Sequence, residues 1–194
     1  MISAPHSTSY RRNSNESRPY ATDEDFRLLF ETEITDFFRL SLLLTADAEK
    51  AERCLILAVR ECLGRSAIAR NFLRIWARRM VIKNAIRLVL AIDNEDACDT
   101  RCDFDLQPNK YRIEQLRESI GVLELPDFDR LALVSCVFER LSILDCALLL
   151  RRSPKDVNEA IVRAMNQVTC LECQDFSGAA ATSRTSSNQQ GVLL

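Results

Sequence analysis

The stretch LSILDCALLLRRSPKDVNEAIVRAM, residues 141–165, decides the fold. Ser142 with Asp145 and Ser153 with Asp156 are two Ser-x-x-Asp boxes, each marking a helix start, and Pro154 falls in a first helical turn, where its missing amide costs nothing. Only Arg151 and Arg152 separate the two apolar runs. The spacing therefore predicts a short helix, a tight turn and a second helix, the layout of a helix-turn-helix. In the second helix Val157, Ile161 and Met165 are expected to pack inward, with Lys155, Asn158, Glu159 and Val162 outward.

Working outward, the chain of 194 residues continues to read as helices. A Thr22–Asp25 box opens a first helix whose stripe is Phe26, Phe30, Ile34, Phe37, Ser41 and Leu44. A second helix is predicted over 47–63 and a third over 66–92, the latter with Ile68, Phe72, Ile75, Ile82, Ile86 and Val89 on one face. Pro126 opens a further helix after one over 111–122. The fold class expected is all-α, two small helical bundles joined by an acidic linker, the second containing the helix-turn-helix. The boundaries read as a disordered tail over 1–22, a first domain over 23–92, a linker over 93–109, a second domain over 110–173 and a disordered tail over 174–194.

Charge is segregated along these pieces. Residues 23–64 carry five bases and ten acids, residues 65–90 seven bases and no acid, and residues 91–109 one base and six acids. On the third helix Arg70, Arg74 and Arg78 form one row and Trp76, Arg79, Lys83 and Arg87 another. Such a face attracts phosphates, and Trp76 offers a platform for an unstacked base, which points to single-stranded or melted DNA. In the helix-turn-helix, Arg151, Arg152, Lys155 and Arg163 are placed to meet phosphates and Asn158 an adenine edge.

Other chemistries lack raw material. Only Gly64 and Gly121 lie between residues 23 and 173, which excludes phosphate-cradling glycine loops, and the one histidine, His6, lies in the polar tail. No catalytic constellation can be assembled, so the chain is expected not to be an enzyme and to take no cofactor and no metal. A zinc site from Cys98, Cys102, Cys170 and Cys173 is the minor alternative. Cys54, Cys62, Cys136 and Cys146 read as small buried residues. With no signal-peptide pattern and no uninterrupted apolar span, the expected location is cytoplasmic, away from membranes.

Two motif sets resemble a known family. Leu125-Pro126, Leu141-Ser142, Ala147-x-Leu149-Leu150, Ser153, Val157 and Arg163-Ala164 are similar to region four of the sigma-70 family of RNA polymerase sigma factors, of the short extracytoplasmic-function kind. The run from Leu43 to Glu52 resembles the start of region two, and Trp76 to Arg87, with Lys83-Asn84, resembles its promoter-melting helix. The resemblance implies a protein that binds RNA polymerase core through the first unit and promoter DNA through both, with an anti-sigma or other regulatory protein as a further partner. The DNA-binding residues expected are Trp76, Arg78, Arg79, Lys83, Asn84 and Arg87 in the first unit, and Arg151, Arg152, Ser153, Lys155, Asn158 and Arg163 in the second. The alternative is a protein-interaction adaptor that keeps the two bundles without binding DNA, the acids Asp93, Glu95, Asp96, Asp99, Asp103 and Asp105 folding back over the basic helix.

Overall fold

Thr22 caps the first helix as its sequence requires. Its hydroxyl accepts from the Asp25 amide at 3.3 Å while the Asp25 carboxylate accepts from the Thr22 amide at 2.9 Å. The computed structural model describes residues 19–63, 68–91 and 120–182, by backbone alone beyond residue 170. Its elements are α1 (Asp23–Thr32), α2 (Ile34–Thr45), α3 (Ala48–Cys62), a 3₁₀ turn (Arg70–Phe72), α4 (Leu73–Leu90), α5 (Ile120–Leu123), α6 (Asp127–Leu133), α7 (Ile143–Leu150) and α8 (Pro154–Thr182). Among the described residues the fold is all-α, with a single isolated bridge between Tyr20 and Ala69.

The expected first helix is two helices. Glu33, at φ −111° and ψ 22°, ends α1 and begins α2. The break swings the chain so that the rings of Phe30 and Phe37 meet at 4.7 Å, and both are wholly buried with Phe26 and Leu44. α2 stops at Ala46, in the left-handed region (φ 52°), and Asp47 then caps α3 by accepting from the Lys50 amide at 2.9 Å.

The third predicted helix starts later than its sequence suggests. Residues 68–69 are instead extended and paired with 19–21: the Ala21 amide donates to Ile68 at 2.8 Å and the Arg70 amide to Pro19 at 3.1 Å. Residues 19–22 are therefore part of the fold rather than of a disordered tail, and Ala21 is buried. Phe72 and Ile75, expected on the buried stripe, are about half exposed, because α4 turns Ala77, Met80, Val81, Asn84 and Ala85 toward α2 and α3. Ile82 and Ile86 are buried too, on the opposite side of the helix, which faces α6 and α7. α4 is thus apolar on two sides, and the two halves of the chain pack against each other across it.

In the second half Pro126 precedes α6, which runs into a π turn over Val134–Phe138. Ser142 caps α7 by accepting from the Asp145 amide at 3.0 Å, and Ser153 and Asp156 make the reciprocal bonds of a box at the start of α8 (3.1 and 3.2 Å). Between them Arg151 is left-handed at φ 53°, so the predicted helix, tight turn and helix are all present. The buried register of α8 is Val157, Ala160 and Ala164, with Ile161 partly covered; Met165, expected inside, is 52% exposed. The alanines let α8 lie close to α6, which a methionine-led face would have held off. α8 also continues through residues 174–182, past the expected domain end. The linker over 93–109 and the helix start near Lys110 lie outside the described residues.

One side chain ties the halves together. Arg130, 2% exposed, donates from Nη1 to the Leu125 carbonyl at 2.7 Å and from Nε to the Leu44 carbonyl at 3.2 Å, with Thr45 O at 3.4 Å and Asp127 Oδ1 at 2.5 Å from Nη2. Arg130→Met strands these carbonyls, and the expected loss in urea unfolding is about 3 kcal/mol; a loss within error of zero would show the tie to be incidental.

Candidate nucleic-acid interface

Each expected DNA-binding residue has a definite place, and the places differ in kind. On α4, Arg78 makes a bidentate pair with Glu139 of the second half, Nε to Oε2 at 2.6 Å and Nη2 to Oε1 at 2.5 Å. That hydrogen-bonded carboxylate, against the opposing cost of burial, raises the Arg78 pKa above its ordinary value. Lys83 and Arg87 converge on one carboxylate, Glu61 of α3, each at 3.1 Å. Arg74 is held by Glu33 at 2.7 Å and Arg70 by Asp25 at 2.5 Å. Acids of 23–64 thus pair with Arg70, Arg74, Lys83 and Arg87.

Asn84 requires a correction. It is 2% exposed and its Nδ2 donates to the Met80 carbonyl at 2.9 Å, so it belongs to the core and presents no amide to DNA. Its position seven residues after Ala77 puts it on the face toward α2 and α3. Trp76 is half-buried and packs against the same core, which leaves part of its ring to a ligand. Arg79 is exposed, with no carboxylate partner among the described residues.

The second constellation is more open. Arg151, Arg152, Ser153, Lys155 and Asn158 are all exposed around the turn and first turns of α8. Arg152 lies over the Phe128 ring at 5.9 Å, and Lys155 has a loose i, i+4 neighbour in Glu159 at 3.8 Å. Arg163 departs from this group. Its guanidinium grips Asp129 of α6 at 3.1 and 2.7 Å and so fastens α8 to α6 instead of reaching outward.

The four cysteines expected to be buried are covered to different degrees. Cys54, Cys62 and Cys146 are buried and Cys136 is partly covered. Burial pushes the Cys54 thiol up to about 12, and its Sγ donates to the Val81 carbonyl at 3.2 Å. Cys170 is exposed, whereas Cys98, Cys102 and the side chain of Cys173 lie outside the described residues, as do the six linker acids. Among the described residues no three metal-ligating side chains converge, and no helix is long and apolar enough to cross a membrane.

From sequence the basic face can equally be paired to the ten acids of residues 23–64, but which acids hold which cations is not legible there. Glu61 and Glu139 carry no local motif; only the alternation of acidic and basic segments hinted that one would neutralise the other. Arg140, which sits at φ 56° two residues past the π turn, was not singled out from sequence.

Glu61 sets how much positive charge α4 shows. Glu61→Gln releases Lys83 from its carboxylate, and the slope of log K against log salt for single-stranded DNA should steepen by about one. An unchanged slope would mean that this face meets no phosphate. No protein-family model matches the chain, and no curated protein matches it.

Proposed function

We propose that the protein is a sigma-factor-like DNA-binding protein of transcription initiation, with RNA polymerase core and promoter DNA as its partners and an anti-sigma or other regulatory protein as a further one. It acts in the cytoplasm and performs no catalysis of its own. The observation that carries this reading is the start of α8. Arg151, Arg152, Lys155 and Asn158 are exposed together beside a helix N-terminus, while Val157, Ala160 and Ala164 anchor the same helix from behind. A helix held on one face and open on the other can enter a major groove, with guanidinium and ammonium groups on phosphates and an amide on a base edge.

A second reading, the protein-interaction adaptor, is favoured by two observations. Arg78, Lys83, Arg87 and Arg163 are engaged within the protein, and Leu144 and Leu148, one turn apart on α7, are 65% and 78% exposed. An exposed leucine pair fits a protein partner better than a polyanion.

Co-purification of the tagged chain with core polymerase, followed by transcription from a promoter library at moderate salt, separates the two. The sigma-like reading expects selective initiation that is lost in Arg151→Glu/Arg152→Glu while polymerase binding persists. Polymerase binding that survives in Leu144→Ser/Leu148→Ser, with no selective initiation and no DNA affinity in the native chain, would overturn both readings as stated. Binding lost in that pair alone supports the adaptor.

A further inference from the structure

Where the two halves meet, α4 and the turn over 138–141 enclose an open cleft of about 740 Å³, within the range of small-molecule sites. Its floor is apolar, with Ile82 buried and Ile75 and Phe138 about half exposed. Its rim carries four arginines, Arg74, Arg78, Arg79 and Arg140, against one carboxylate, Glu139. That carboxylate is spent, since both of its oxygens accept from Arg78. Arg74 is likewise engaged, by Glu33. Arg79 and Arg140 are exposed with no carboxylate partner among the described residues, so two positive charges face the cleft without compensation.

Arg140 is also an unlikely residue for its backbone. At φ 56° it follows a helix end, where glycine is the usual occupant and a side chain costs roughly 1 kcal/mol. The conformation is imposed from both sides: Glu139 must reach Arg78, and the Leu141 amide closes the turn on the Ser135 carbonyl at 3.0 Å. The result is a guanidinium delivered to the rim of the cleft from the second half, with Arg79 delivered from α4 of the first.

We propose that this cleft binds a nucleotide, its phosphates held between Arg79 and Arg140 and its base lying on Phe138 and Ile75. Guanidinium groups match phosphate oxygens in pairs, and an exposed phenyl ring beside them supplies the stacking surface that a free inorganic anion does not use. The nucleotide is either free or the end of a single strand; the chemistry is shared. The assignment does not rest on the transcription reading, since none of it involves α8.

The full-length chain should be titrated by calorimetry with dATP, with inorganic pyrophosphate and with a dT12 oligonucleotide. Saturable dATP binding is expected, weakened about tenfold in Arg79→Ala and in Arg140→Gly, the weight of one charge-assisted pair. Arg140→Gly removes the side chain while relieving the left-handed backbone, so its thermal midpoint should hold or rise and a folding defect cannot mimic the loss. Phe138→Ala should weaken dATP and leave pyrophosphate unchanged. dATP binding alone assigns a free nucleotide, and dATP and dT12 competing for one site assign a strand end as well. No dATP binding at millimolar concentration, or binding indifferent to both arginine variants, would overturn the proposal. Promoter binding unchanged in Arg151→Glu/Arg152→Glu, with saturable dATP binding that still depends on Arg79 and Arg140, would fail the α8 reading and leave this one standing.

Discussion

The buried guanidinium of Arg130 is the constraint on which the arrangement depends. The last carbonyls of a helix have no partner within it and carry the negative end of its dipole. α2 ends abruptly at the left-handed Ala46, and Arg130 of α6 supplies donors to the Leu44 and Thr45 carbonyls there and to Leu125 beside its own helix. Its carboxylate partner among the described residues, Asp127, is 59% exposed, so carbonyl dipoles bear much of the burden of holding the charge out of water. An arginine in this position fixes the start of α6 against the end of α2. With that contact set, the second apolar side of α4 meets α6 and α7, and Arg78 comes within reach of Glu139.

The same economy governs the other cations. A run of seven bases without an acid reads as a polyanion-binding face, yet in the fold Arg70, Arg74, Arg78, Lys83 and Arg87 each meet a carboxylate from a distant segment. These pairs are partly exposed and individually worth little. Together they reduce the outward field of α4, on which Arg79 is exposed with no carboxylate partner among the described residues. The electrostatic surface is set by pairing across helices more than by composition along the chain.

How much of this was legible depended on the range of the signal. The caps at Thr22, Ser142 and Ser153 are local chemistry, and each hydroxyl accepts where the spacing placed it, with the reciprocal carboxylate bond of the full box at Thr22 and Ser153. The break at Glu33 was hidden because the stripe from Phe26 to Leu44 keeps helical phase across it. The start of α4 was misplaced because residues 68–69 pair with 19–21, a long-range extended contact with no motif of its own. Asn84 was assigned from the family resemblance and Met165 from helical periodicity. Asn84 was internalised by satisfying its amide on Met80, and Met165 was displaced from the interface by the smaller Ala160 and Ala164. At the site, exposure of the α8 residues followed from periodicity, whereas the occupation of Arg78 and Arg163 by Glu139 and Asp129 is tertiary and could not.

Packing of the halves bears on what each surface can bind. Arg78 offers its guanidinium to Glu139 in the packed arrangement, and offering it to a phosphate requires breaking a bidentate pair at the junction of the halves. A ligand that uses Arg78 therefore favours separation by its differential affinity and no more. A ligand held by Arg79 of α4 and Arg140 of the turn spans the junction and binds only while the halves are packed. Linkage makes two such ligands antagonists even though they contact different atoms, each weakening the other by the same factor. The start of α8 stands outside this competition, since Arg151, Arg152 and Asn158 are exposed without disturbing any contact between the halves. In this fold a DNA contact at α8 is compatible with the packed state, and a DNA contact through Arg78 is in tension with it.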